Sequence, residues 1–377
     1  MLPLVVVVTL LAAGTAGGVF CYLRHLGLTV LVMLAPLPGV VFVLPIVPFW
    51  ALTGGSVALL AYVMSLSVGL LLAGEFALLV CEGAERDAAV CAVYRRRGVA
   101  LGAASLAAIA ELALVGLVGQ AWPLALPAAA LAVAANSSAF CGFYIARFLP
   151  CHEDFVAQHN RAEEHWHRLS NWLIAVVQPR WGHAVAGVAL VFMALGIFGA
   201  QSLKIEWRLE NDVWAMLLIA MVILAALAGA IRDWRAVLAV GLALPVPILL
   251  GLWGLAVAGV VLTVENSLLL VLAVSTGATP LFVTGTDAGR MNRARDDATN
   301  AAGRILQRDG RNLFFAGTIP PFTLLLSASA TGAADIALAI AACAVGTGTL
   351  LFRPAFAVLI EGWFPRIATP ASRYRLQ

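Results

Sequence analysis

The sequence predicts an all-α integral membrane protein, and three observations support this fold class. Hydrophobic residues make up 62% of the 377 residues and charged residues only 11%, whereas about a quarter of an average soluble domain is charged. The mean hydropathy is +0.96. The apolar residues also form runs of roughly 20 residues, the length that an α-helix needs to cross a bilayer. We therefore expect about eleven transmembrane helices, with lipid as the main solvent of the fold.

The predicted spans follow one another along the whole chain, separated by short polar connections. They cover residues 2–23, 28–50, 56–82, 98–119, 122–149, 184–202, 213–231, 235–263, 266–289, 313–331 and 335–363. When residue 1 is placed outside, 21 of the 23 Lys and Arg residues fall on the cytoplasmic side, leaving Lys204 and Arg208 outside. Because Lys and Arg concentrate in cytoplasmic loops, the sequence predicts an outer N-terminus and a cytoplasmic C-terminus.

Landmark residues recur along the chain at a nearly constant spacing, which indicates an internal repeat. Both copies would begin with a helix that runs from outside to inside, so they would be parallel repeats about an axis normal to the membrane. The separation within each pair lies between 206 and 212 residues, and the pairs are Arg24 and Arg232, Pro36 and Pro245, Pro38 and Pro247, Glu75 and Asp287, Gly98 and Gly310, and Arg147 and Arg353.

The repeat divides the chain into five parts with a 5 + 1 + 5 arrangement of helices. One extra helix, at 184–202, precedes the second copy, and we expect that the matching helix before the first copy is missing. The parts are a first five-helix repeat (1–150), a cytoplasmic amphipathic linker (151–183), the extra helix with its outer turn (184–212), a second five-helix repeat (213–365) and a cytoplasmic tail (366–377).

The linker contains several potential metal ligands, and two interpretations of them stay open. Helical spacing places His159 beside Glu163, as a metal site would require. However, an apolar stripe that includes Trp166, Trp172 and Leu173 follows on the same segment. We favour an interfacial amphipathic helix with a solvated polar face. No nucleophile, phosphate-binding, dinucleotide or zinc motif occurs, so we expect neither an enzyme nor a cofactor or metal, and no nucleic-acid partner.

Three stretches resemble the transmembrane region of the resistance–nodulation–division (RND) superfamily, closest to its lipid-exporting MMPL-type branch. Gln178-Pro-Arg-Trp-Gly, a helix and then Leu203-Lys-Ile-Glu are similar to the entry into the seventh helix of that family. The amphipathic segment from Arg304 to Ser327 resembles its connection to helix eleven. Gly74-Glu75-Phe76-Ala77-Leu78-Leu79 resembles its acidic-aromatic motif in helix four, with Glu in place of Asp.

The resemblance implies two parallel six-helix halves in a bacterial inner membrane, but two parts of the family pattern are absent from this sequence. Neither large extracytoplasmic domain is present, and the first helix has no counterpart. The family transports its substrates in exchange for protons. We therefore expect a reduced transport protein for a hydrophobic or lipid-linked substrate, surrounded by membrane lipids.

Ionisable residues within predicted spans are the candidates for proton binding, because a charge facing lipid is costly and usually has a function. The resemblance gives the proton-relay role to Glu75, although a neutral, hydrogen-bonded structural acid is an equal alternative. Glu111 matches no family motif, and we favour a structural role. Asp287 is the repeat partner of Glu75, but polar residues follow it immediately. We interpret Asp287 as an interfacial cap and keep it as a relay candidate.

Polar positions in two other spans are candidates for lining a cavity. Thr279 and Pro280 would break the predicted span 266–289 and expose backbone carbonyls to a cavity. We expect Asn136 and its neighbours Ser137 and Ser138 to form hydrogen bonds between helices rather than to bind a ligand.

Two further functions compete with transport. The missing domains favour a degenerate transporter that serves as a structural subunit or assembly factor among other membrane proteins. A lipid or sterol sensor is a third interpretation, because the five-helix bundle of the family also occurs in sensing domains.

Overall fold

The computed structural model describes residues 4–43, 45, 54–118, 122–150, 153–177, 179–202, 228–259, 261, 264–293, 298–331 and 351–363. These residues form almost only α-helices and contain no strand, which confirms the predicted all-α membrane fold. The larger part of each of the predicted spans 213–231 and 335–363 lies outside the described residues. The count of eleven spans therefore stays a prediction.

The described helices of the first half and the linker follow one another along the chain. In chain order they are α1 (Leu4–Leu23), α2 (Leu26–Leu34), α3 (Leu37–Val43), α4 (Gly54–Cys81), α5 (Arg86–Val118), α6 (Trp122–Gly142), which is followed by a 3₁₀ turn at Phe143–Phe148, and then α7 (Glu153–Val177).

The second half also consists of long and short helices among the described residues. They are α8 (Pro179–Ser202), α9 (Trp234–Ala243), α10 (Pro245–Val257), α11 (Val264–Arg293), α12 (Ala298–Arg308), α13 (Gly310–Thr331) and α14 (Arg353–Trp363).

Five segments of the described residues are long and apolar enough to cross a membrane. They are Leu26–Val43, Val57–Cys81, Arg86–Leu117, Trp122–Phe148 and Trp181–Gly199. Each overlaps a span that the sequence predicts, so hydropathy located these helices correctly. Val57–Cys81, within α4, is the most deeply buried of the five, which explains why α4 is apolar around its whole circumference.

The backbone carries direct evidence of the repeat. Arg24 and Arg232 both have positive φ, 53° and 54°, a left-handed conformation that is unfavourable for any residue with a Cβ atom. Each is followed by an extended N-cap residue, His25 or Asp233, whose side chain accepts a hydrogen bond from the next helix. The same strained turn and cap therefore begin α2 and α9.

A proline interrupts the equivalent span in each half. Pro36 separates α2 from α3, and Pro245 is the first residue of α10. Proline has no backbone N–H and fits the first turn of a new helix. The described parts of the predicted spans 28–50 and 235–263 thus each form two short helices, and the two breaks agree with the landmark prolines of the repeat.

Four helices at the centre join the two halves. By the repeat, α4 corresponds to α11 and α5 corresponds to α13. In the structure α4 packs against α13 and α5 packs against α11, so the same contact occurs twice, and α4 also packs against α11. This crossed arrangement places residues of both halves next to each other in the interior.

The amphipathic linker helix α7 packs against the connection between α11 and α13. Trp166 is 5% exposed and its Nε1 donates a hydrogen bond to the carbonyl of Leu306 at 2.8 Å. Leu173 is also buried, whereas Trp172 is 60% exposed on the same helix. The apolar stripe is therefore divided between the protein and the membrane surface.

The close approach of α3 and α6 provides a test of this packing. A Cβ atom added at Gly39 would lie 2.1 Å from the carbonyl oxygen of Ala134. We expect Gly39→Ala to destabilise the protein by about 1–3 kcal/mol, because the two backbones must separate. Thermal unfolding in mild detergent measures this effect. Gly17→Ala is the control, since nothing lies within 4 Å of its added Cβ atom. Equal unfolding midpoints for the two variants would contradict the packing.

Candidate functional site

Three carboxyl groups and two arginines meet in the interior, between the two halves. Glu75 comes from α4, Arg96 and Arg97 from α5, Asp287 from α11, and Asp309 from the connection before α13. Four of the five are almost fully buried, with exposures between 0% and 3%, and the Arg96 side chain is 22% exposed. We call these five residues the charge cluster.

Arg97 contacts all three carboxyl groups. Its Nε donates to Oε2 of Glu75 at 3.0 Å, and its Nη2 donates to the same oxygen. Its Nη1 donates to Oδ2 of Asp287. Its Nη2 also lies 3.0 Å from Oδ1 of Asp309. One guanidinium group thus joins α4, α11 and the start of α13.

Two further arginines complete the ion pairs. Arg96 Nη1 lies 2.9 Å from Oε1 of Glu75, and Arg96 Nη2 lies 3.8 Å from Oδ2 of Asp309. Arg290 lies at the rim with a side chain that is 39% exposed, and its Nη1 is 3.4 Å from Oδ1 of Asp287. Arg290 Nη2 also donates to the backbone carbonyl of Arg96 at 2.9 Å, which connects α11 to α5.

The charge cluster follows the repeat. Glu75 and Asp287 are 212 residues apart, and so are Arg97 and Asp309. Equivalent positions of the two halves therefore meet at the pseudo-symmetry axis. Glu75 and Asp287 have like charges, whereas Arg97 and Asp309 have opposite charges. Arg97 contacts the other three residues.

The apolar surroundings require this pairing. Phe76 and Ala77 beside Glu75 are fully buried, so the carboxylate has lost its water and an unpaired charge there would cost several kcal/mol. Gly74 permits Tyr22 and Asn312 to pack closely against α4, because an added Cβ atom would lie 2.0 Å from the Tyr22 hydroxyl and 2.5 Å from Oδ1 of Asn312.

A second polar network connects α7 to the bundle. Arg311 Nη1 donates to Oε1 of Glu163 at 2.9 Å and lies 3.4 Å from Nδ1 of His159. Arg311 Nη2 donates to the carbonyl of Tyr22 at 2.8 Å, and the Tyr22 hydroxyl donates to Asn312. The prediction of a solvated polar face on α7 is wrong at His159, which is 2% exposed, because Arg311 covers this side chain.

Two groups outside the spans have altered pKa values. Burial, followed by the nearby Arg311 charge, lowers the pKa of His159 to about 4. Burial raises the pKa of Asp309 to about 6, because loss of water outweighs the attraction of Arg97 and Arg96, and Asp287 and Glu75 repel its negative charge.

Of the three predicted relay residues, the structure brings two together. Glu75 and Asp287 share Arg97, as described above. The interpretation of Asp287 as an interfacial cap is wrong, because Asp287 is 3% exposed and paired inside the protein. Glu111 is half-buried on α5, 14 residues beyond Arg97 and roughly 21 Å along the helix. It lies outside the charge cluster.

The cavity candidates have structural surroundings. Helix α11 continues through Pro280 without a break, so the predicted broken helix is wrong. A proline removes one donor, and packing against α4 and α5 holds both sides of it in line. Thr279 is 3% exposed. Asn136 is 7% exposed and donates to Ser105 on α5 at 3.2 Å, which confirms its expected role between helices.

Sequence reasoning missed Arg96, Arg97 and Asp309. The two arginines belong to a run, Arg95-Arg96-Arg97, that has the composition of a positive cytoplasmic loop. The repeat contained a usable signal, because Arg97 and Asp309 have the same 212-residue separation as Glu75 and Asp287. Because Arg97 and Asp309 have opposite charges at equivalent positions of the two halves, the repeat predicts an ion pair between them.

Comparison with known proteins identifies the fold. No protein family and no curated protein matches the sequence. Among solved structures, SecDF from Thermus thermophilus, described as a translocon-associated membrane protein, matches with a TM-score of 0.69 and 12% identity over 96% of this chain and 62% of that one. SecDF in its super-membrane-facing form matches with a TM-score of 0.59 and 11% identity, over 95% of this chain and 61% of that one.

These similarities show that the chain shares the membrane fold of SecDF. At 12% and 11% identity they concern the fold alone. The chain spans about three fifths of the length of both solved structures, 62% and 61%.

Removal of the shared arginine tests the charge cluster. Arg97→Gln would leave three buried carboxyl groups without their common partner, and we expect a loss of about 3–5 kcal/mol of stability. The thermal unfolding midpoint in detergent measures this loss. Arg308→Gln is the matched control, because its ion pair with Glu82 is exposed at both side chains, 39% and 53%, and surface ion pairs contribute about 0–1 kcal/mol. Similar shifts for both variants would show that the cluster is not the main electrostatic contact.

The His159 environment gives a pH dependence with a defined sign. The pKa of His159 is about 4 in the folded protein and about 6.5 in an unfolded chain. At His159 the unfolded chain therefore binds more protons between these values, so this residue contributes a loss of stability as the pH falls from about 6.5 to about 4, whereas the raised pKa of Asp309 contributes in the opposite direction. We expect the unfolding midpoint of His159→Gln, relative to that of the wild type, to rise as the pH falls over this range, because only the His159 contribution is removed. The exposed His167→Gln should keep the wild-type profile, and parallel profiles for wild type and His159→Gln would refute this account.

Proposed function

We propose that this chain is an RND-like transport protein that moves a hydrophobic or lipid-linked substrate at a bacterial inner membrane in exchange for protons. The observation that carries the proposal is the charge cluster, which is buried between the two halves and contains acids from both of them. Transport by such a fold requires the halves to move against each other, and the cluster is the polar contact that this movement must change.

Proton binding would change this contact directly. Ionised Glu75 is held by Arg96 and Arg97, and ionised Asp287 by Arg97 and Arg290. A protonated carboxyl group loses the Coulombic attraction to its arginines, so the preferred arrangement of α4, α5 and α11 would differ between the two protonation states. A proton then acts as a ligand that shifts the population of conformations.

The substrate class rests on the resemblance to the MMPL-type branch and on the lipid surroundings of the chain. The protein would act without enzymatic chemistry and without a cofactor. Its partners would be membrane lipids, the hydrophobic substrate and, where extracytoplasmic domains are needed, other membrane proteins that supply them.

A second candidate function is a structural subunit of a larger membrane complex. One observation favours it: the arginines pair with all three acids, as in a permanent connection between helices. The match to SecDF, described as translocon-associated, is consistent with such an accessory role. In this case the charge cluster would hold the two halves in one arrangement.

Proton uptake into liposomes tests the transport proposal. The purified protein is reconstituted with a membrane lipid extract of its host as the source of substrate, and a pH-sensitive dye inside reports an imposed pH gradient. We expect Glu75→Gln to reduce uptake to the level of empty liposomes, because it removes the ionisable group that pairs with Arg96 and Arg97. Glu82→Gln is the control, since Glu82 has a 53% exposed side chain in the turn that follows the same helix. Equal uptake by Glu75→Gln and wild type would refute the proposed role.

Affinity purification from native membranes distinguishes the two functions. A protein that purifies alone with a defined lipid supports transport. Stoichiometric partner proteins, together with full function of Glu75→Gln in the host, support the structural subunit.

A further inference from the structure

The charge cluster contains more buried acids than bases. Its two arginines face three carboxyl groups, which are between 0% and 3% exposed. Two further bases lie near Asp287: Arg290 pairs with it from the rim, and the buried Arg353 interacts with its charge. Because a buried carboxylate is stable only with close partners, the acid with the poorest contacts is the natural place for a proton.

The contacts single out one of the three acids. Glu75 accepts hydrogen bonds from Nε and Nη2 of Arg97 and pairs with Arg96 at 2.9 Å. Asp287 accepts hydrogen bonds from Arg97 and from Arg290. Asp309 is 1% exposed, yet neither of its carboxylate oxygens accepts a hydrogen bond from any residue that the structure describes.

The ion pairs of Asp309 are also shared with another acid. Its nearest nitrogen, Nη2 of Arg97 at 3.0 Å, already donates to Glu75. Its second neighbour, Arg96, lies at 3.8 Å and pairs more closely with Glu75. Asp309 is therefore the least compensated carboxyl group of the cluster, and its raised pKa agrees with this geometry.

Asp309 also lies between the predicted spans 266–289 and 313–331, in a connection that the sequence predicts on the cytoplasmic side. It lies in the connection between α12 and α13, whereas the other two acids lie within α4 and α11. Trp166 of α7 covers this connection, because an added Cβ atom at the adjacent Gly310 would lie 2.7 Å from its ring. Next to Asp309, Arg308 lies 3.5 Å from Glu82.

The remaining charged and titratable groups around this connection are engaged elsewhere. They are Arg311, His159 and Glu163 in the network with α7, and Tyr22, which donates to Asn312.

We propose that Asp309 is the carboxyl group at which the charge cluster takes up and releases a proton on the cytoplasmic side. With the proton bound, Glu75 pairs with Arg96 and Arg97 without competition from Asp309. When the proton leaves to water, the third carboxylate competes with Glu75 for Arg97. This inference names the exchanging group of the proposed proton coupling and rests on it for its role in transport, but the titration itself can be measured without transport.

Infrared difference spectroscopy on the purified protein in lipid nanodiscs tests the assignment. Spectra at stepped pH are recorded with unlabelled protein and with protein that contains ¹³C-carboxyl aspartate. We expect a protonated-carboxyl band that titrates near pH 6, shifts with the aspartate label and is lost in Asp309→Asn. In Asp309→Glu the band should return and no longer shift with the aspartate label. Asp87→Asn, at a side chain that is 57% exposed, should keep the wild-type band.

Each alternative outcome has a defined meaning. A band that persists in Asp309→Asn, or that does not shift with labelled aspartate, assigns the proton to another acid and overturns the inference. The return of the band in Asp309→Glu excludes misfolding as the reason for its loss. If Asp309 titrates as expected but wild-type liposomes show no proton uptake, the transport proposal fails and the assignment of Asp309 stands.

Discussion

Arg97 is the residue on which the interior of this protein depends. Its guanidinium group has five N–H donors in a fixed planar arrangement, and here they reach carboxyl groups from α4, α11 and the start of α13. Each of those acids is too deeply buried to remain ionised alone. The close packing of the four central helices is therefore compatible with their charges only because one arginine from α5 lies between them.

The charge cluster is surrounded by elements that control access to it. On one side, α7 lies over the connection between α12 and α13, and Trp166 and Arg311 attach it there. On the opposite side, α4 and α11 continue as tightly packed apolar helices with small polar residues such as Ser67 and Thr279 at buried positions. A proton that reaches the cluster must therefore pass through or around elements that belong to both halves.

Hydropathy predicted much of the fold, because the bilayer imposes strict requirements on length and polarity. The repeat was also visible in sequence, and the matching backbone at Arg24 and Arg232 agrees with it. Glu75 was recognisable as a buried acid from its apolar neighbours. Its partners were not, because Arg97 and Asp309 lie next to polar connections and only tertiary packing brings them inside. Asp287 and Pro280 were misjudged for the same reason: local composition does not reveal what neighbouring helices cover or support.

The opposite charges of Arg97 and Asp309 make the two halves unequal partners. In a dimer of two copies of the second half, both equivalent positions would carry aspartate, next to two copies of Asp287. Four carboxyl groups would then meet without Arg97, and their repulsion would oppose assembly. The charge cluster therefore requires one copy of each half, and the halves are not interchangeable in this geometry.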